Sequence, residues 1–373
     1  MKIILLSRFD PRDINNWSGT LYYIYQKLQE KHQVEIIGGE LLNQLSRFAL
    51  RNFSSKITVP SNRYINSLGH LLTERINEKR GDLIFFGDLL FIPSELNIPF
   101  VLLSDMTFDQ VKVHYLKTKW QKDDEVFLNN IEKLLLNHAV RIIYSSEWTK
   151  QKAIEYYHLD PSKIEVVEFG ANIPNPTNYL IDINMDVCRL VFIGMDWERK
   201  NGDTMLQIFD LLKKDGFPCT LTIIGSVPEN EVTEDDDLSI IPFLDKSDPD
   251  DLQRLCNILY DSHFLVLPTK FDAFGIVFCE ASAYALPSIA SNVGGVGQAI
   301  KEGENGYLLP ADASAYDYAE KIITVFRDRE GYIKLRQSSR YEYETRLNWD
   351  VWGEKVNKIF EDAVNEYKIV NNE

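Results

Sequence analysis

Two carboxylates flank a short glycine-containing corner in the C-terminal half of the sequence, within KFDAFGIVFCEASAYALPSIA at residues 270–290. Asp272 precedes Gly275 in a predicted loop, and Glu280 follows in a predicted helix with apolar neighbours. Positions 276, 280, 283 and 284 share one face of a helix, so Glu280 is expected on the packed side. A carboxylate in that position requires hydrogen-bond donors, because desolvation of a charge is costly.

A ligand with hydroxyl groups would supply such donors. Asp272 is a candidate for binding a sugar hydroxyl, and Glu280 could accept two charge-assisted hydrogen bonds from a ribose diol. The backbone N–H groups of Phe274, Gly275 and Ile276 would open the helix toward hydroxyl or phosphate oxygens, and the glycine would let a ligand approach closely. Taken alone, the spacing favours the alternative, a structural glutamate bonded to nearby backbone donors.

A second strand-to-helix corner, FIGMDWERKNGD at residues 192–203, carries two cations. The chain turns after Gly194 and presents Arg199 and Lys200 just before a predicted helix. Two cations beside a helix N-terminus suit a diphosphate, whereas cations without such a ligand are mildly unfavourable there. The alternative is a solvated pair of side chains at the start of a helix.

Weaker candidates follow other predicted strands. Gly225 in IIGSVPEN and Phe243 in LSIIPFL are candidate contacts for the same ligand, although turn chemistry alone explains the glycine. Gly19 stands at the first strand-to-helix corner, where Ser18 is a predicted helix cap. Asp105 ends a predicted strand in LLSDMTFDQ and is either a carboxylate that orients an acceptor or stabilises charge, or a turn residue.

Strands and helices alternate along the sequence. Short apolar runs predict strands at 2–7, 33–39, 82–87, 99–105, 140–146, 163–170, 189–194, 219–226, 238–244, 263–269 and 288–291. Apolar periodicity predicts helices that include 127–139, 146–158, 201–214, 248–261, 313–329 and 350–368. The aperiodic, proline-containing segment 171–188 is a predicted linker. We therefore expect an α/β fold of two doubly wound domains, residues 1–180 and 181–349, with a ligand in a cleft between them.

Composition narrows the function classes. The chain has 373 residues and a net charge of −16. Residues 1–180 hold 21 basic and 21 acidic side chains, and residues 181–373 hold 19 and 35, which argues against a nucleic-acid partner. No apolar run reaches the roughly 20 residues of a membrane span, and MKIILLSRFD predicts a strand instead of a signal peptide. Four dispersed cysteines suit reduced thiols and a cytoplasmic protein.

No metal cofactor is expected, since the sequence has no histidine or cysteine motif with metal-ligand spacing and its EDDD at 234–237 belongs to an acidic loop. The basic amphipathic stretch LLNQLSRFALRNF at 41–53 leaves two interpretations open. It is either a helix packed on the first sheet or a peripheral contact with the inner face of a membrane and a lipid-linked acceptor. Lys112, Lys117 and Lys119 form either an anion-facing patch or a solvated loop.

In combination these motifs resemble the retaining GT-B glycosyltransferases of family 4, over most of the chain and most strongly from 189 to 310. The frame D-AFGIVFC-E is similar to the family's pair of glutamates, and ASAYALPSIASNVGGVGQAIKEGENGYLLP is similar to the tail that follows it. FIGMDWERKNG resembles the family's phosphate-binding corner, and EVVEFGAN and VLPTKFDAFG add to the match.

This resemblance implies a role for each candidate. Glu280 would hold the nucleotide ribose and Asp272 the donor sugar, with backbone groups from Ala273 to Gly275 at the sugar hydroxyls. Lys200 with Arg199 would neutralise the diphosphate, and Gly19 would complete that site from the first domain. Asp105 sits where the family often has a His or Asp near the reacting centre. The helix at 350–373 would pack back onto the first domain.

The implied reaction is a retaining, metal-independent transfer of a hexose-type sugar from a nucleotide sugar, UDP favoured over GDP, to a glycan, lipid-linked or protein acceptor. Three residues depart from the family pattern, namely Asp272 for Glu, Met195 for Arg and Gln298 for Glu. The first two motivate an alternative, a catalytically weak nucleotide-sugar-binding subunit that supports a partner glycosyltransferase. A sugar-nucleotide epimerase of the same architecture matches the motifs less closely. A homo-oligomer is also compatible with the sequence.

Overall fold

The chain forms two compact units in a computed structural model that describes residues 1–38, 62–86, 96–115, 122–228 and 235–371. The N-terminal unit comprises Met1–Val167 together with Gly353–Glu373, and the C-terminal unit comprises Glu168–Trp352. Each unit is built on one parallel sheet of six strands. The predicted α/β class with two doubly wound domains is therefore confirmed.

The sheet of the N-terminal unit has the strand order β2-β1-β3-β4-β5-β6. Its strands are β1 Lys2–Ser7, β2 Gln33–Gly38, β3 Leu83–Phe86, β4 Phe100–Ser104, β5 Arg141–Tyr144 and β6 Ile164–Val166. The described helices among them are α1 Thr20–Gln29, α2 Asn62–Lys79, α3 Phe108–His114, α4 Lys122–His138 and α5 Glu147–Tyr157. Apolar side chains of the strands pack against α2, α4 and α5 in one buried cluster, in keeping with the burial that a parallel sheet requires.

The sheet of the C-terminal unit has the order β12-β11-β10-β7-β8-β9. Its strands are β7 Cys188–Ile193, β8 Cys219–Ile224, β9 Leu238–Ile241, β10 Phe264–Leu267, β11 Ser288–Ser291 and β12 Gly306–Leu309. Its helices are α6 Trp197–Lys200, α7 Gly202–Lys214, α8 Pro249–Asp261, α9 Ile276–Ala283, α10 Val296–Ala299, α11 Ala315–Arg327 and α12 Arg329–Thr345. Strand β12 and helix α12 were not predicted from the sequence.

The last helix, α13 Trp349–Asn371, contributes its greater part to the N-terminal unit. Phe360 is fully buried and its ring meets that of Phe85 on β3, with centroids 5.0 Å apart. His32 lies 2.6 Å from the Asn357 side chain. These contacts cover the sheet of the N-terminal unit with residues from the far end of the chain.

The segment 171–188 contains no strand or helix before Cys188, yet its start is packed inside the C-terminal unit. Ala171 and Asn172 are buried, and the Trp349 indole donates to both at 3.0 and 3.1 Å. The Phe169 ring lies 5.4 Å from that of Phe274. Because these contacts begin at Glu168, the compact units divide there and not near residue 180.

The predicted cap at Ser18 is wrong. Helix α1 begins at Thr20 with Gly19 as its N-cap, and no side chain caps it. Trp17, Ser18 and Gly19 have φ values of 50°, 55° and 93°, so the chain makes a left-handed turn where a capping serine would be extended. The φ of 93° at Gly19 would be strained for a residue with a side chain, which accounts for the glycine at the helix start.

The structure describes only some of the residues in the two surface predictions. The stretch 41–53 lies outside the described residues, as do Lys117 and Lys119. Lys112 contacts the carboxylates of Asp109 and Glu125, so its charge is paired within the unit. None of the described helices combines enough length with enough apolar character to cross a bilayer.

Helix α12 is polar in sequence but supplies buried arginines to the C-terminal unit. Arg336 is fully buried and donates to the carbonyl oxygens of Leu180, Ser262 and Tyr284 at 2.8, 3.1 and 3.2 Å. Arg340 donates to the carbonyl of Ala283 at 2.5 Å. A guanidinium group carries five N–H donors, so one side chain can satisfy several carbonyls at once.

We expect Arg336→Met to lower the free energy of unfolding by at least about 3 kcal/mol, because it leaves three carbonyl groups without their buried donor. The measurement is urea denaturation of the variant and the wild type. Arg329→Met is the matched control, since Arg329 of the same helix pairs with Asp182 while both side chains are more than half exposed. The control should change stability by less than about 1 kcal/mol. Equal effects of the two variants would contradict the prediction.

Candidate active site

The two predicted cations stand at the carboxyl end of β7. Asp196 caps helix α6 by accepting from the Arg199 backbone N–H at 3.0 Å. The short helix ends at Lys200, whose stem folds back over Gly194. A Cβ atom at position 194 would lie 2.6 Å from Lys200 Cγ, so this corner needs a glycine.

Both cations meet Asp272, which follows β10, the strand beside β7. Lys200 Nζ lies 2.5 Å from Asp272 Oδ2, and an Arg199 guanidinium nitrogen lies 3.4 Å from Oδ1. Lys200 and Asp272 are each 7% exposed. Burial lowers the pKa of Lys200, and the nearby Asp272 carboxylate opposes that shift. The predicted cations and the predicted carboxylate therefore form one cluster.

The backbone of this cluster is tied together as well. Arg199 also donates to the Phe271 carbonyl at 2.9 Å, and the Lys270 N–H donates to the Arg199 carbonyl at 2.8 Å. The Asp272 carbonyl accepts from the Gly295 N–H at 3.0 Å. The loop that carries Asp272 is thus held at both ends.

Helix α9 begins directly beside the cluster. Its N-cap is Gly275, with φ of 89°, and a Cβ atom there would lie 2.4 Å from the Phe278 ring. Ala273 and Phe274 are buried, and Ile276 is the first helical residue. The Phe278 N–H of the first turn donates to the Gly275 carbonyl at 3.0 Å. The N–H groups ahead of it have no intrahelical acceptor, so they suit an anion or a hydroxyl group.

Glu280 lies within α9 and is 2% exposed, as its position on the packed face predicts. Lys246 Nζ lies 2.5 Å from its Oε1 atom. The sequence analysis missed this lysine, because it stands in a loop 34 residues earlier and belongs to no repeated spacing. The carboxylate is therefore held by a side-chain cation instead of the backbone donors of the structural alternative.

Gly225 and Phe243 lie on the same edge of the sheet, since they follow β8 and β9. Gly225 has φ of 94°, and a Cβ atom on it would come within 3.1 Å of the Gly194 carbonyl oxygen. Phe243 is 52% exposed. Residues that follow β10, β7, β8 and β9 thus share the carboxyl edge, where ligands of open α/β sheets bind.

In the N-terminal unit, Asp105 and the turn before Gly19 are close together. The Trp17 indole N–H donates to Asp105 Oδ2 at 3.2 Å. The Thr149 hydroxyl donates to the Asp105 carbonyl at 2.7 Å, which fixes the backbone after β4. The structure thus brings together two residues that the sequence analysis selected separately.

Glu132 holds the start of helix α3, three residues after Asp105. Its two carboxylate oxygens accept from the Phe108 N–H at 2.9 and 2.8 Å, and the Tyr157 hydroxyl donates to it. Glu132 is 2% exposed, and burial raises its pKa to about 7. Within the residues that the structure describes, no three His, Cys, Asp or Glu side chains gather in a metal-binding cluster.

Two family models match this chain. The family model described as Glycosyl transferases group 1 matches residues 182–367, and the model described as Glycosyltransferase Family 4 matches residues 20–173. The chain belongs to the GT-B glycosyltransferases. The Glycosyl transferases group 1 match lies mostly in the C-terminal unit, and the Glycosyltransferase Family 4 match lies almost wholly in the N-terminal unit.

A curated relative of this glycosyltransferase is D-inositol 3-phosphate glycosyltransferase from Corynebacterium kroppenstedtii, 22% identical over 255 residues. The match covers 62% of this chain and 55% of the relative, so the chain spans little more than half of that relative's length. Among solved structures, sucrose-phosphate synthase from Thermosynechococcus elongatus has a TM-score of 0.70 at 15% identity, covering 97% and 98% of the two chains. Anabaena Alr3699/HepE in complex with UDP-glucose has 0.64 at 13% identity, covering 97% and 100%.

Glu132 makes the stability of the glycosyltransferase's N-terminal unit depend on pH. Between pH 4.5 and about 7 the folded protein keeps the proton on Glu132, while the unfolded chain has lost it. The free energy of unfolding should therefore fall as pH rises through this window, by up to about 3 kcal/mol, and become flat above it. Glu132→Gln should lack this component.

Urea denaturation at pH 5, 6, 7 and 8 measures the difference between Glu132→Gln and wild type. Glu155→Gln is the control, because Glu155 is an exposed residue of α5 that pairs with Lys152 at the surface. A difference between wild type and Glu132→Gln that does not vary with pH would contradict the assignment.

Proposed function

We propose that the chain is a retaining hexosyltransferase that moves a hexose-type sugar from a nucleoside-diphosphate sugar to an acceptor. The C-terminal unit binds the donor in this proposal, and the N-terminal unit binds the acceptor. The observation that carries it is the cluster of Lys200, Arg199 and Asp272 beside the first turn of α9. Two cations and free backbone N–H groups suit a diphosphate, and a neighbouring carboxylate suits a sugar hydroxyl.

The proposed chemistry follows from the charges that form during the reaction. The bond between the anomeric carbon and the diphosphate oxygen breaks, which places negative charge on that oxygen. Lys200, Arg199 and the N-terminus of α9 stabilise this charge without reorganisation. An acceptor hydroxyl forms the new bond on the same face, and its proton passes to the departing diphosphate. No metal is required for this step in the proposal.

The remaining candidates take supporting roles. Glu280 accepts from the nucleotide ribose, Asp272 contacts the donor sugar, and Asp105 orients the acceptor or stabilises charge near the reacting carbon. Gly194 and Gly225 belong to the donor-binding edge in this proposal, and Phe243 offers an exposed ring for contact with the nucleotide. Gly19 provides a comparable close approach in the N-terminal unit.

UDP is the favoured donor nucleotide. A fold neighbour binds UDP-glucose, which supports this choice over GDP. The acceptor is a glycan, a lipid-linked sugar or a protein, and the basic segment 41–53 would contact a membrane surface at its inner face. The name of the curated relative adds a phosphorylated inositol to the acceptors worth testing.

A second candidate function is a catalytically weak subunit that binds a nucleotide sugar and supports a partner glycosyltransferase. Two observations favour it. Asp272 is engaged by both cations, and Met195, at a position where the family usually has an arginine, is 66% exposed and uncharged. Transfer of sugar by the purified chain alone would exclude this candidate, and nucleotide binding without transfer would support it.

The proposal is tested first by thermal unfolding with UDP, GDP, ADP and CMP, each without metal and with magnesium. A ligand that binds only the folded state stabilises it by RT ln(1 + [L]/Kd), about 2.7 kcal/mol at a hundredfold excess over Kd. A shift with one nucleotide, equal in both conditions, is expected. No shift with any nucleotide would contradict donor binding, and a shift that needs magnesium would contradict metal independence.

Lys200→Ala should lower turnover about 10²-fold or more, because it removes one preorganised charge from the leaving group. Initial rates of sugar transfer measure the effect, and thermal unfolding shows whether the variant is folded. Lys214→Ala is the control, since it removes one exposed lysine from the end of α7 in the same unit. Turnover near the wild-type value in Lys200→Ala would refute the role of this lysine.

A further inference from the structure

Glu280 is paired with a cation, Lys246, although a carboxylate can bind a ribose without such a partner. The Glu280 side chain is 3% exposed, whereas the Lys246 side chain is 20% exposed. The cation reaches the buried carboxylate from the loop between β9 and α8, at the carboxyl edge of the sheet. The ammonium group of Lys246 therefore interacts directly with the Glu280 carboxylate.

The loop holds Lys246 in a defined position. The Asp245 carboxylate accepts from the backbone N–H and the hydroxyl of Ser247 at 2.8 and 2.7 Å. The Asp245 N–H donates to Asp251 Oδ2 on α8 at 2.9 Å. Because both neighbours of Lys246 are fixed, its side chain leaves the backbone in a set direction, and pairing with Glu280 costs only the rotamer freedom of the lysine side chain.

A carboxylate offers about four acceptor positions on its two oxygens. Lys246 occupies one of them on Oε1, which leaves Oε2 and a second position for the two hydroxyl groups of a diol. Without a counterion, a carboxylate this deeply buried is costly, and the cost is relieved by rotation away from its site or by pairing with another donor. Either change would remove an acceptor from the ligand.

We propose that Lys246 is a positioning residue that holds the Glu280 carboxylate in place and turned toward the ligand, and so makes the site specific for nucleotides with both the 2′ and the 3′ hydroxyl of ribose. The inference rests on the proposed function, because it takes Glu280 as the residue that binds the nucleotide ribose. It adds a determinant of ribose over deoxyribose that the motifs of the sequence do not contain.

The test is calorimetric titration with the nucleotide that gives the largest thermal shift and with its 2′-deoxy counterpart, for example UDP and 2′-deoxy-UDP. Wild type should bind the ribonucleotide about 10- to 100-fold more tightly, the size of one charge-assisted hydrogen bond. In Lys246→Met this ratio should fall to about threefold or less. The Kd of the deoxynucleotide should stay within about twofold of the wild-type value.

Two further variants separate positioning from a structural role. Lys246→Arg keeps the cation and should restore most of the discrimination. Lys214→Met removes an exposed lysine of the same unit and should leave the ratio unchanged. Thermal unfolding of all variants without ligand shows whether each one is folded.

Each of the other possible titration results would contradict a different claim. Equal weakening of both nucleotides in Lys246→Met would make Lys246 structural, and tighter binding of the ribonucleotide would make it a competitor for Glu280. A wild-type ratio of the two Kd values below about threefold would show that the site does not recognise the ribose diol. This result would contradict the role of Lys246 but not nucleotide binding. Failure of wild type to bind any nucleotide would overturn the proposed function itself.

Discussion

The ion pair between Lys200 and Asp272 joins two loops that leave neighbouring strands of the C-terminal sheet. Neither side chain would be stable in its buried position alone, because an unpaired charge out of water is far more costly than a paired one. The need to pair these two charges also constrains the backbone around them. Gly194 makes room for the lysine stem, and the Arg199 carbonyl accepts from the N–H of Lys270. The same pairing rule holds eight residues later, where Glu280 is matched by Lys246.

Helix α9 carries the second of these carboxylates and is fixed at both ends. Gly275 begins the helix in the left-handed region of backbone conformation, and a side chain at this position would collide with the Phe278 ring. At its other end, Arg340 and Arg336 of α12 bond the carbonyl oxygens of Ala283 and Tyr284. Cations near a helix C-terminus also interact favourably with the helix dipole. A polar helix thereby sets the position of an apolar one, and with it the position of Glu280.

The strands of both sheets, apart from β12, could be predicted from sequence, because an apolar run of four to eight residues is sufficient for a buried parallel strand. Helix α12 could not, since REGYIKLRQSSRYEYET has no apolar stripe and its arginines are buried by bonding carbonyls of distant segments. The cluster of Lys200, Arg199 and Asp272 followed from residues at strand ends. Lys246 gave no signal, because one lysine in a loop becomes informative only when folding brings it to Glu280.

The return of α13 to the N-terminal unit has a consequence for the order of synthesis. A ribosome completes Met1–Val167 first, but the side chain of Phe360 that covers Phe85 emerges only after the entire C-terminal unit. At about 5–20 residues per second, the roughly 185 residues between them take on the order of 10–40 s. During that interval part of the apolar face of the first sheet has no cover. The contiguous C-terminal unit, Glu168–Trp352, can therefore complete its core before the unit that was made ahead of it.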